Sequence, residues 1–86
     1  MHEFSLMRDL LAKVDGVLRQ SGGTNVKRVR VRLGALAHIS PAHFREHFVQ
    51  GTRGTRAEGC KLDIEVGTAT DDPQAQDIVL KSVDVN

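Results

Sequence analysis

Tryptophan and tyrosine are absent, and Phe4, Phe44 and Phe48 are the only aromatic residues, so any core has to be largely aliphatic. Cys60 is the only cysteine, which excludes an internal disulfide framework and a four-cysteine structural zinc site within one chain. No apolar run approaches the roughly 20 residues that span a bilayer, and no basic start, apolar run and small-residue cleavage site marks a signal peptide. No membrane partner and a cytoplasmic, reducing location are therefore the expectation. Charge of one sign is also missing: 12 Lys and Arg against 11 Asp and Glu leave a net charge of +1, too little to imply nucleic acid or an anionic membrane. With only 86 residues the chain is expected to form a single domain, 1–86. A domain of that size buries about 60 to 65% of the surface its unfolded form exposes, which leaves little room for a deep, walled active site.

What is present is ordered by periodicity. Met7, Leu10, Leu11, Val14, Val17 and Leu18 recur at spacings of three and four, one stripe of a helix that should stop at the Ser-Gly-Gly of residues 21–23. In VKRVRVRL, residues 26–33, Val29, Val31 and Leu33 alternate with Arg28, Arg30 and Arg32, which predicts a strand with one buried and one strongly basic face. Ser40 before Pro41 marks a second helix, with Phe44 and Phe48 turned inward and Gly51 and Gly54 bracketing its exit. Lys61–Val66 reads as a strand with Leu62, Ile64 and Val66 inward, residues 67–76 as a polar loop, and Ile78–Val85 as a last strand. A short extended piece over residues 1–3 is also compatible with this order. The fold class is α/β (α+β), two helices packed on a small mixed three-stranded sheet, and exposed strand edges on so small a core allow a homodimer.

Concentrated chemistry lies at the start, MHEFSLM. The free amine of Met1, the backbone amide nitrogen of His2 and the His2 imidazole can wrap one ion in two fused rings, with a carboxylate from Glu3. Nitrogen donors in a plane suit Ni²⁺ and Cu²⁺. The same residues also fit a plain helix start, in which Glu3 complements the positive end of the helix. His43 and His47 lie four apart with Glu46 between them, and HFREH spells an HxxEH zinc-protease pattern in a chain with no cleft to match it. His38, in the loop after the first strand, reads as an additional ligand to the amino-terminal ion or as an ordinary loop histidine. The arginine strand has no interleaved aromatics for stacking on bases, which argues against nucleic acid. Its plainer readings are a solvated face or one that docks an acidic partner. Cys60 is best taken as a small buried hydrophobe, and the doublet GTRGTR lacks the Gly-Lys-Ser/Thr ending of a phosphate loop.

Four stretches taken together, MHEFSLM, VRVRLGAL at residues 29–36, GTRAEGCKLDIEV at residues 54–66 and the closing IVLKSVDV, resemble the HypA/HybF family of nickel-insertion proteins for [NiFe] hydrogenase maturation. The resemblance implies a non-enzymatic nickel metallochaperone. His2 would be its key ligand, supported by Glu3 and by the amine or backbone of Met1, and Ni²⁺ would be transient cargo. It further implies a hydrogenase large-subunit precursor and a GTPase as partners. Two departures stand out. The family's zinc lobe, with two CxxC pairs before the last strand, is replaced here by the short loop 67–76, so no structural zinc is expected. The acidic nickel contact of the loop before the second helix is also missing: that loop reads AHIS, with Ser40 near the place and His38 available as a substitute. The alternative class is a protein-interaction or scaffold module in metalloenzyme maturation, docking through its basic strand.

Overall fold

The three-and-four spacing of apolar residues forms helix α1, Glu3–Ser21, in the computed structural model, which describes residues 3–86, with side chains from Leu6 onward. The extended piece considered for residues 1–3 falls at Met1 and His2, outside the described residues; Glu3 already belongs to the helix. Met7, Leu10, Val14 and Leu18 are buried, whereas Val17 is 38% exposed and lies on the rim of the stripe. Gly22, at φ 73°, takes the left-handed conformation that lets its N–H close the last turn on the carbonyl of Arg19.

Strand β1, Val26–Leu33, is central in a sheet of order β2-β1-β3. It pairs in parallel with β2, Lys61–Val66, and antiparallel with β3, Ile78–Val85. Val29, Val31 and Leu33 are buried beneath the helices, so the period of two places Arg28, Arg30 and Arg32 on the opposite, open face. In β3 the inward set is Ile78, Leu80, Val83 and Val85, and the three-residue step from Leu80 to Val83 is a β-bulge. Arg30 pairs with Ser82 and Val31 with Leu80, leaving Lys81 as the extra residue that restores parity.

Helix α2, Pro41–Thr52, crosses from β1 to β2. Ser40 caps it, its hydroxyl accepting from the His43 N–H at 3.1 Å, and Pro41 occupies the first turn, where no N–H is needed. The helix ends at Thr52, within the exit bracketed by Gly51 and Gly54, and the buried Thr52 hydroxyl bonds back to the Val49 carbonyl at 3.2 Å. Phe44 and Phe48 are fully buried, with ring centroids 6.3 Å apart. Val66 departs from expectation. It is 52% exposed, since it ends an edge strand beyond the cover of the helices.

Loop 67–77 folds back over the end of β1. The Gly34 N–H donates to the Asp77 carbonyl at 2.9 Å and the Leu36 N–H to the Ala75 carbonyl at 2.7 Å. A β-carbon on Gly34 would collide with the backbone of Ala75 and Gln74, which is why glycine stands there. The short links from α1 to β1 and from β1 to α2 give both helices the same direction. Each starts at the end of the sheet where β1 finishes and β3 begins, and runs towards the end where β1 starts.

Candidate metal centre

Glu3, the one amino-terminal candidate among the described residues, falls at that end of the sheet. Glu3 opens α1, and Met1 and His2, which precede it, lie outside the described residues. The β1–α2 loop and loop 67–77 gather at the same end, so the fold sets Glu3 and the His38 loop at one end of the sheet. His38 has φ 58° and is the one non-glycine residue with positive φ among the described residues. Its backbone is set between the turn closed by the Ala37 N–H on the Gly34 carbonyl, at 3.0 Å, and the Ser40 cap of α2. Its side chain is exposed. Histidine is among the residues that tolerate this region, at a cost.

His43 and His47 lie on α2 with ring centroids 4.5 Å apart and planes inclined by 25°. His43 is exposed, His47 half-buried and Glu46 exposed. Among the described residues no three His, Cys, Asp or Glu side chains converge as metal ligands. The terminal head and its relation to His38 lie beyond that statement.

The strongly basic face expected of β1 is neutralised by its neighbours. Arg28 reaches Asp63 at 3.3 Å. Arg30 spans the sheet between Asp63 at 3.6 Å and Asp84 at 3.3 Å, and also donates to the Ser82 hydroxyl at 3.0 Å. Arg32 approaches Glu65 at 3.8 Å. Three arginines thus meet three carboxylates of the same chain, which removes the surplus positive charge that docking on an acidic partner would need. A signal for this was available: Asp63 and Glu65 share the alternation of the arginines, and parallel pairing in register sets Arg30 opposite Asp63 and Arg32 opposite Glu65.

Cys60 is half-buried against the core, and burial pushes its thiol above the ordinary range, which makes it a poorer nucleophile and metal ligand at neutral pH. A shallow groove of about 670 Å³ runs between α1 and β3, where Leu6, Leu10 and Val17 face Ile78 and Leu80. No helix among the described residues is long and apolar enough to cross a membrane.

Two helices packed on one face of a mixed three-stranded sheet make this a small α+β domain. The solution structure of the Ni metallochaperone HypA from Helicobacter pylori has the same fold, with a TM-score of 0.80 over 99% of this chain and 97% of that one, at 18% identity. Residues 1–71 match the family described as hydrogenase/urease nickel incorporation, metallochaperone, HypA, and the chain belongs to that family. The hydrogenase maturation factor HypA of Methylocella silvestris is 44% identical over 66 residues, 77% of this chain and 58% of that protein. The factor of the same name from Chlorobium limicola is 40% identical over 65 residues, 76% of this chain and 56% of that protein. The chain therefore spans a little over half the length of these curated relatives.

Proposed function

We propose that this chain is a nickel carrier, not an enzyme, which delivers Ni²⁺ to a [NiFe] hydrogenase large-subunit precursor in the cytoplasm with the help of a GTPase. The observation that carries this reading is that the family match begins at residue 1 and so includes the MetHisGlu head, whose Glu3 opens α1. In this reading the Met1 amine, the His2 amide and imidazole and the Glu3 carboxylate hold the ion. His38, on the loop at the same end of the sheet, completes the set where relatives use an acidic residue.

A terminal chelate open to solvent exchanges its ligands one at a time, as a carrier must. The amine, with a pKa near about 8, and the imidazole, near about 6.5, must lose protons to bind, so affinity falls as pH drops from about 8 to 6. Titration calorimetry with Ni²⁺ tests the site on three proteins: the native chain, His2→Ala, and a form extended before Met1. Both altered proteins are expected to bind at least about tenfold more weakly, a loss of about 1.4 kcal/mol. Equal affinity in all three would overturn the terminal site.

A further inference from the structure

Helix α1 presents a flank that its own fold leaves uncovered. Its buried stripe is Met7, Leu10, Val14 and Leu18. About a third of a turn further round, Leu6, Asp9, Lys13 and Gly16 line the open groove of about 670 Å³ beside β3. Asp9 and Lys13 are exposed, and among the described residues neither joins an ion pair, although their spacing would allow one between them. Gly16 stands in the middle of the helix, where glycine costs stability, yet an added β-carbon there would meet nothing within 4 Å. The packing of the chain on itself therefore gives no reason for that glycine.

Read in reverse, these four residues are their own complement. Two copies of α1 lying side by side and antiparallel, matched about position 11, set Leu6 against the partner's Gly16 and Asp9 against the partner's Lys13, each contact occurring twice. Successive steps of three, four and three residues are those of a seam between two nearly antiparallel helices. Opposite charges meet across it, and leucine fills the space over the bare glycine backbone. The strand edges are poorer places for a second copy. On the edge strand β2 the Arg45 guanidinium takes up the Leu62 carbonyl at 3.0 Å, and on the edge strand β3 the bulge leaves Lys81 unpaired in the register. Bulges and edge lysines discourage strand addition.

We propose that α1 is a homodimer interface, in which the flank of Leu6, Asp9, Lys13 and Gly16 seats on the same flank of a second, antiparallel copy. The stripe is short beside the roughly 800 Å² per partner of a standard interface, so the dimer is weak. It tightens at low salt, because exposed ion pairs hold its register. The Glu3 ends of the paired helices lie roughly 24 Å apart along the axis, so each copy keeps its own loop end free. The inference goes beyond the nickel-carrier reading and does not depend on it.

Sedimentation without added metal tests it, followed by interference optics because the chain has no Trp or Tyr. The native chain should pass from monomer to dimer as its concentration rises to about 1 mM, and the dimer should weaken at least about tenfold between about 0.05 and 0.5 M salt. Asp9→Lys and Lys13→Asp should each weaken it at least about tenfold. The double variant Asp9→Lys/Lys13→Asp, which restores opposite charges across the seam, should recover it. Gly16→Leu, which enters open space in the monomer, should keep the fold by circular dichroism and lose the dimer. A native chain that stays monomeric throughout would overturn the proposal and leave the groove to a different protein. A dimer that tolerates Gly16→Leu, or a double variant no tighter than the single ones, would overturn it as well, since association would then run through another face.

Discussion

A left-handed backbone at His38, φ 58°, costs a residue with a β-carbon about 1 to 2 kcal/mol, and an exposed loop side chain makes few contacts to offset it. Glycine would adopt the same backbone without that cost, at the expense of a freer unfolded chain. His38→Gly is therefore expected to leave stability unchanged or raise it by up to about 1 kcal/mol in a urea titration, while weakening Ni²⁺ binding if the imidazole completes the site. A fall in stability of more than about 1 kcal/mol would show that the imidazole is needed to hold the loop. At the residue scale the sequence shows that position 38 is a histidine on a loop. What it could not show is the sign of φ, which follows from the turn at Gly34 and the cap at Ser40 closing on either side.

At the level of elements, the arginine strand is where local and paired readings diverge. Taken alone, VKRVRVRL is a basic stripe. Once paired, each arginine lies within reach of a carboxylate on β2 or β3. These ion pairs are part-exposed, with the Arg30 side chain 43% accessible, so each contributes less than about 1 kcal/mol and is screened by salt. Arg30→Ala should therefore destabilise the domain by about 1 kcal/mol or less at low ionic strength, with the loss shrinking in about 1 M salt as measured by denaturant titration. A salt-independent loss above about 2 kcal/mol would show that the Ser82 hydrogen bond and stem packing outweigh charge. The bulge at Lys81 was legible in principle, since Ile78, Leu80, Val83 and Val85 break the alternation once. It takes the partner strand to show that Lys81 is the residue left over.

For the whole molecule, stability rests on a thin core between one sheet face and two helices. Phe44 and Phe48 are its largest fully buried side chains and lie where α2 meets the sheet. A domain of this length has roughly 4 to 13 kcal/mol of total stability, and Phe→Ala in a core removes about 3 to 5 kcal/mol. Phe44→Ala is expected to leave the chain largely unfolded or to lower its thermal midpoint by at least about 12 °C, seen by circular dichroism. A shift of only a few degrees would mean that the core closes up around the gap. Helix spacing, the alternation in β1, the Ser40–Pro41 start of α2 and the glycine stops were all legible, since each depends on residues a few positions apart. So were the four stretches that resemble the HypA/HybF family. The chain alone thus determined its elements, its class and the MetHisGlu head. Only the tertiary structure decided that the arginines are neutralised and that Val17 and Val66 stay partly in solvent. Those outcomes depend on which distant strand or helix comes to lie alongside, and such neighbours are set by packing across the whole fold.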